Sequence, residues 1–261
     1  MDNENEMKFT YKAYEKMILL LKEHKYTFCG YSDYREYDRN VIMRHDVDND
    51  LEKALKLAEM EFDLGISSTY FVLTTSNFYN ICSRKNKEIL KAICSKGHQI
   101  GLHFDEAQYV NKDEKWQEEA IEKEILLLEQ CVERKVACVS MHRPSKDMLQ
   151  ANWHIKGGRV VNSYDKEFFE NYKYISDSRR SWKENVLELI EKEKYGRLHI
   201  LVHPFWYDET EKSGKEILRS FCREQVYKCY DELNENIRNL NELLEKREIP
   251  VIGGADEEDN S

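Results

Sequence analysis

This sequence predicts an α/β fold with a parallel sheet or barrel, on three observations. Four short apolar runs each end in a polar cluster rich in His and Asp: VIMRHDVD (41–48), HQIGLHFD (98–105), VACVSMHRPS (136–145) and LHILVHPFW (198–206). Stretches with apolar residues at helical spacing separate them. Alternation of strand and helix builds βαβ units, whose strands run parallel. In such sheets and barrels every strand C-terminus opens on one face, where active sites form. The four polar ends are therefore expected to converge, gathering Asp46, Asp48, His103, His142 and His203. That set binds a divalent metal and leaves acid–base groups over, so a metal-dependent hydrolase is the leading reading.

The elements follow in order along the chain. Residues 8–24 carry a helical apolar pattern. A short run at 26–29 and the strand at 41–45 come next. Asp50 suits an N-cap for the helix that Gly65 closes. SSTYFVL (67–73) is β-branched and aromatic, hence a strand. KNKEILKAICSKG is a helix stopped by Gly97, followed by the strand to His103. A helix over 112–134 leads to the strand ending at Met141. Between 146 and 182 the repeat blurs into two short possible strands, RVVNS and YKYIS, and an aromatic cluster. A helix over 183–194, a strand over 197–203 and a long helix over 212–246 complete the pattern, with 255–261 expected to be a disordered tail. With no repeat and no Pro/Gly-rich linker, a single domain over 1–261 is expected.

Composition narrows the function classes. Net charge is −10 and no basic run tracks a nucleic acid, so none is expected as partner. No apolar stretch is long enough to span a membrane, and the acidic N-terminus lacks the apolar segment of a signal peptide. The seven cysteines include no CxxC pair and sit among apolar residues, which suits small core hydrophobes in a reducing, cytoplasmic setting.

Within the polar ends, spacing assigns faces. Side chains two apart on a strand share a face, so Asp46 and Asp48 crowd two carboxylates together unless a cation or proton separates them. Asp50 alone accounts for the helix cap and leaves these two unexplained. Gly101 shares the face of His103, where a missing side chain is expected to leave room for a ligand. Only one of His142 and Arg143 need face the site. His203 is the best remaining acid–base candidate. His98 and His199 read as structural, and His24 and His154 as surface residues.

These motifs together resemble the polysaccharide deacetylase family, carbohydrate esterase family four. The resemblance spans roughly residues 40–206. It implies a distorted (β/α) barrel with about seven parallel strands. The family's TFDDG motif appears as RHDVD, which would make Asp46 the general base and Asp48 a metal ligand. Its GHEIGxHSxxH motif matches GHQIGLHFDEA and would make His103 a ligand. The family's next ligand falls on Ala107, so the third must come from elsewhere: His142 first, then Asp105 or Glu106. Its RPPYG motif weakly matches Arg143-Pro144, and the family arginine there orients the base. SDSRRSW offers Asp177 and Trp182 as substrate neighbours, and LHILVH places the general acid on His203.

The cofactor implied is one divalent ion, zinc best suiting two nitrogen ligands and one oxygen, with nickel, cobalt or iron also fitting. The substrate implied is a sugar or sugar-containing intermediate of cell-surface polysaccharide synthesis. Trp182, Trp206 and Tyr207 would stack on sugar faces. Arg179 and Arg180 would meet a phosphate or carboxylate. Three other readings compete. One is a non-catalytic sugar-binding relative that has lost metal, and another a hydrolase of formamide or cyclic imide bonds. The third, a glycosyltransferase holding a nucleotide diphosphate through DVD, leaves the strand-end histidines unexplained. Oligomeric state is not legible.

Overall fold

A computed structural model describes residues 7–109, 112–150, 153 and 155–249. His154 and the segment 255–261 lie outside the described residues. The chain divides into two compact units, Met1–Thr210 and Glu211–Ser261.

The first unit is built on one parallel sheet. Its strands are β1 (Thr27–Cys29), β2 (Asn40–Val47), β3 (Thr69–Leu73), β4 (Gln99–Phe104), β5 (Cys138–Met141), β6 (Val161–Asn162), β7 (Lys173–Ser176) and β8 (Arg197–Val202). The hydrogen-bonded order is β6-β5-β4-β3-β2-β8-β7, with β1 added beside β2. The register explains how β2 accepts three neighbours. On one edge its residues 40–45 pair with 197–202 of β8. On the other edge 40–42 pair with β1 and 44–47 with β3, end to end. Seven parallel strands thus form a half-barrel path, with β1 as an eighth beside it and helices around it, in keeping with a distorted (β/α) barrel. Among the described residues it stays open between β6 and β7, the two ends of the path.

The helices of this unit are α1 (Tyr11–Glu23), α2 (Leu51–Asp63), α3 (Arg84–Ser95), α4 (Glu114–Val132), α5 (Lys146–Gln150), α6 (Glu167–Glu170) and α7 (Val186–Glu191). Their starts and stops follow local chemistry. Asp50 caps α2 by accepting from the Glu52 and Lys53 amides at 2.8 and 3.2 Å. Gly65 then turns the chain away at φ +65°, where a side chain is disfavoured. Ser83 and Asp113 cap α3 and α4 in the same way. The expected helix over 183–194 shortens to α7: Asn185 caps its start by accepting from the Glu188 amide, and Glu193 takes a left-handed φ of 49° beyond its end.

Apolar faces gather in three places. One core packs α2, α3 and α4 against β3, β4 and β5. A second packs α1 and α7 against β2 and β8. The third fills the barrel interior with Ile42, Phe71, Cys138, Phe168 and neighbours. Burial on both sides explains why every residue of β2 is buried.

The second unit contains α8 (Gly214–Asn236) and α9 (Leu240–Leu243). Ser213 and Glu216 form a reciprocal capping box at the start of α8. The single helix expected over 212–246 is thus interrupted: Ile237 is extended and Asn239 takes a left-handed φ of 58° before α9 begins. No described helix is long and apolar enough to cross a membrane.

Candidate active site

Because the strands are parallel, β2, β4, β5 and β8 deliver their C-terminal residues to one end of the barrel. Asp48 follows β2, His103 lies within the last residues of β4, His142 follows β5 and His203 follows β8. Asp48 Oδ1 lies 3.3 Å from His103 Nε2 and 3.4 Å from His142 Nδ1. The two ring nitrogens face each other at 3.1 Å. One ligand atom from each of the three residues falls within 4.8 Å of the others. Asp46 joins the edge of this group, its Oδ2 at 3.7 Å from His103 Nε2.

This donor set fits a divalent cation. Asp48 Oδ1 is buried, yet makes no hydrogen bond of good geometry although two imidazoles approach it. A buried anionic oxygen left in that state is costly, and a cation between the three groups would relieve it. Burial alone would raise the Asp48 carboxyl, but the two histidines outweigh it and hold the pKa well below the usual range. One carboxylate and two imidazoles suit zinc and its first-row neighbours.

Ala107 lies in a short 3-10 turn, where its amide bonds Asp105 Oδ1 at 3.2 Å. Asp105 also accepts from Gln108, and Glu106 accepts from Ser145 Oγ at 3.0 Å. Both carboxylates are thus engaged in the loop, whereas His142 stands in the three-residue group. The His142 amide donates to Phe104 O at 2.7 Å, which seats the residue beside β4.

The carboxylate of Asp46 is held by Arg44. The guanidinium donates through Nε to Oδ1 at 2.9 Å and through Nη2 to Oδ2 at 2.8 Å. Its remaining donors reach Ser163 Oγ at 3.0 Å and Ser140 Oγ. Arg44 and Asp46 are buried, and the Phe71 ring lies 5.2 Å beneath the guanidinium. Burial would raise the Asp46 carboxyl, but Arg44 more than offsets it, so the group stays ionised. Arg143, the arginine expected to orient Asp46, is instead exposed on a left-handed backbone with φ 49°. The alternation that puts Asp46 and Asp48 on one face puts Arg44 there too, a signal already present in RHDVD.

His203 is fixed from behind. Its Nδ1 meets Asp177 Oδ1 at 2.5 Å, and its amide donates to both Asp177 oxygens at 3.1 and 3.0 Å. Burial opposes a charged ring, but the Asp177 carboxylate overcomes it and pushes the His203 pKa up to about 9. Asp177 is fully buried, so the substrate contact expected of it is replaced by support of His203. Lys53 Nζ donates to Phe205 O and Tyr207 O at 3.1 and 2.9 Å and ties down the turn after His203.

Other expected contacts take different places. Gly101 does not leave room for a ligand: a Cβ there would lie 2.5 Å from the Phe71 ring, so the missing side chain accommodates Phe71. Trp182 and Trp206 are half-buried against the second core, and Tyr207 is fully buried within it. Arg179 is exposed and Arg180 half-buried, its guanidinium 4.8 Å over Phe9; both have left-handed φ. His98 and His199 are buried, His98 donating to Ala58 O at 2.9 Å and His199 bonded to Tyr31 OH at 2.8 Å. His24 pairs with Glu193 near the surface.

Neither a family model nor a curated protein matches this sequence. Among solved structures, the chain is similar to the Bc1960 peptidoglycan N-acetylglucosamine deacetylase, at 16% identity and TM-score 0.45 over 62% of this chain and 71% of that one. It is also similar to the peptidoglycan deacetylase PdaC from Bacillus subtilis, at 13% identity and TM-score 0.43 over 70% and 83%. A third is BA3943, a CE4 family pseudoenzyme from Bacillus anthracis, at 12% identity and TM-score 0.41 over 70% and 60%. This chain therefore spans about three fifths of the BA3943 chain. At such distances the functional reading rests on the site's own geometry.

Proposed function

We propose that this protein is a metal-dependent hydrolase that removes an acyl group, N-acetyl in the first instance, from a sugar or sugar-containing intermediate of cell-surface polysaccharide synthesis. One observation carries the reading. Asp48, His103 and His142 form a group able to hold a cation at the strand ends that also carry Asp46 and His203, each of these two held by its own buried partner. Asp48, His103 and His142 would hold the ion, zinc by preference. The ion would supply Lewis-acid polarisation of the acyl carbonyl and of a bound water.

The chain's own residues divide the proton work. Asp46, ionised and fixed by Arg44, takes the proton of the attacking water. Arg44 spends two donors on Asp46 and so fixes the direction in which that carboxylate accepts. His203, with its pKa pushed up to about 9, carries a proton at neutral pH and gives it to the leaving nitrogen. Asp177 accepts from the His203 Nδ1 at 2.5 Å and steadies the imidazolium. Proton acceptor and donor thus come from different strands and are supported by separate partners. Arg179 and Arg180 would meet an anionic part of the substrate. The seven free thiols support a cytoplasmic setting.

Metal content of protein purified without chelator or added metal tests the reading. The parent should carry close to one equivalent of a divalent ion. Asp48→Ala should lose both ion and activity. Asp46→Asn should keep the ion and lose activity, because an amide accepts no proton. His142→Ala should weaken ion affinity by orders of magnitude with the fold intact. A parent that binds no divalent ion at micromolar concentration would transfer the protein to the non-catalytic, sugar-binding class.

A further inference from the structure

The loop between β6 and β7 brings aromatic rings to the open seam of the barrel, beside Asp46. Ser163, which follows β6, accepts from Arg44 Nη1 at 3.0 Å. Tyr164 comes next. The Arg44 guanidinium lies 4.8 Å over its ring, with the phenol oxygen 3.5 Å from Nη2. Phe169 stacks on Tyr164 at 5.7 Å and 26°, and Tyr174 tilts against Phe169 at 5.0 Å.

The two phenylalanines of α6 have opposite fates. Phe168 is buried against Tyr31 and His199 and anchors the loop. Phe169, one residue on, is 40% exposed, with Tyr164 and Tyr174 half-buried beside it. These rings form a short wall that starts one hydrogen-bonded residue from the Asp46 carboxylate and ends in solvent.

The geometry points to this wall, Tyr164–Phe169–Tyr174, as the subsite that holds the pyranose ring of the substrate; this rests on the hydrolase reading above. A pyranose has an apolar C–H face and a rim of hydroxyls. Phe169 offers the apolar surface, and the two phenols at its sides offer hydrogen-bond partners for the rim. The position also suits the chemistry, since the inner ring of the wall, Tyr164, packs on the side chain that orients the base. The tryptophans that the motifs bring forward face the second core instead.

The test uses the metal-loaded full chain and N-acetylglucosamine trisaccharide as probe. Aromatic carbon–proton resonances of Tyr164, Phe169 and Tyr174 should shift on titration. Phe169→Ala should raise the Kd roughly tenfold with metal content and melting temperature unchanged, and Phe169→Trp should restore binding. A trisaccharide that binds equally well to Phe169→Ala, that binds without moving these resonances, or that fails to bind at millimolar concentration overturns the subsite. Failure of the hydrolase reading registers separately, as a parent without divalent ion. If the trisaccharide still moved the three rings in such a protein, the subsite would stand as a sugar-binding site alone.

Discussion

The two faces of β2 carry the same kind of group and use it differently. On the barrel side, Asp46 is a buried carboxylate paired with Arg44. On the helix side, between the same neighbours in sequence, His45 reaches Glu61 of α2 at 2.8 Å. Glu61 is fully buried and also accepts from Tyr14, Ser68 and Tyr70 at 2.5, 2.5 and 2.7 Å. The His45 and Tyr70 rings stack at 4.4 Å beside it. Glu61 thus spends its lone pairs on fixed donors in a closed shell. The barrel side stops short of closure: Asp48 Oδ1 is left without a well-formed hydrogen bond, and its side chain remains 25% exposed. A buried charge is therefore not by itself a mark of chemistry. The mark is a charged group whose bonding capacity is unfilled and within reach of a ligand.

The comparison breaks most visibly through stability. Glu61→Leu leaves three hydroxyls and an imidazole without their acceptor and should cost about 3–5 kcal/mol. Asp48→Ala, in protein stripped of metal, should cost less than Glu61→Leu, because its Oδ1 is the acceptor of no closed network. Urea titration of both variants checks the contrast. Equal losses would mean that the two faces of β2 are alike and that the site is structural.

pH sharpens the same contrast, because Glu61 and His203 titrate with opposite sign. Burial raises Glu61, but His45 and Ser68 outweigh it and hold the pKa at about 2, against an ordinary 4.5. A depressed carboxyl adds stability that is complete above 4.5 and is lost as pH falls toward 2. Its size is on the order of 3 kcal/mol. His203 is raised from 6.5 to about 9. Its contribution is complete below 6.5 and is lost as pH rises through 9. Denaturation of metal-free protein across this range should show both arms. Glu61→Gln should shrink the acid arm, to which Asp46 and Asp48 also contribute, and His203→Gln should flatten the alkaline arm.

Gly101→Ala is a smaller perturbation that acts on the barrel side only. Its Cβ would press the Phe71 ring, which underlies Arg44. The expected loss is about 1–3 kcal/mol, with a drop in activity from displaced Arg44. Asp50→Ala removes an α2 cap on neither face and should cost about 1 kcal/mol, read as a melting shift with metal content unchanged.

What the amino-acid order determines here is local. Alternating apolar runs and helical stretches dictate the strands, the caps at Asp50 and Ser83, the stops at Gly65 and Gly97, and the polar strand ends. Parallel topology then sends Asp48, His103, His142 and His203 to one end without further information, since all strands point one way. Tertiary packing decides which partner each group finds. Arg44 rather than Arg143 holds Asp46, because strand alternation turns Arg44 inward while a left-handed backbone leaves Arg143 exposed. Asp177 supports His203 from a buried position, because β7 pairs with β8, Ser176 opposite Leu201, despite the long segment between them. Gly101 serves Phe71, whose ring reaches it from the adjacent strand. These outcomes depend on contacts between segments far apart in the chain, and periodicity within a segment carries no record of them.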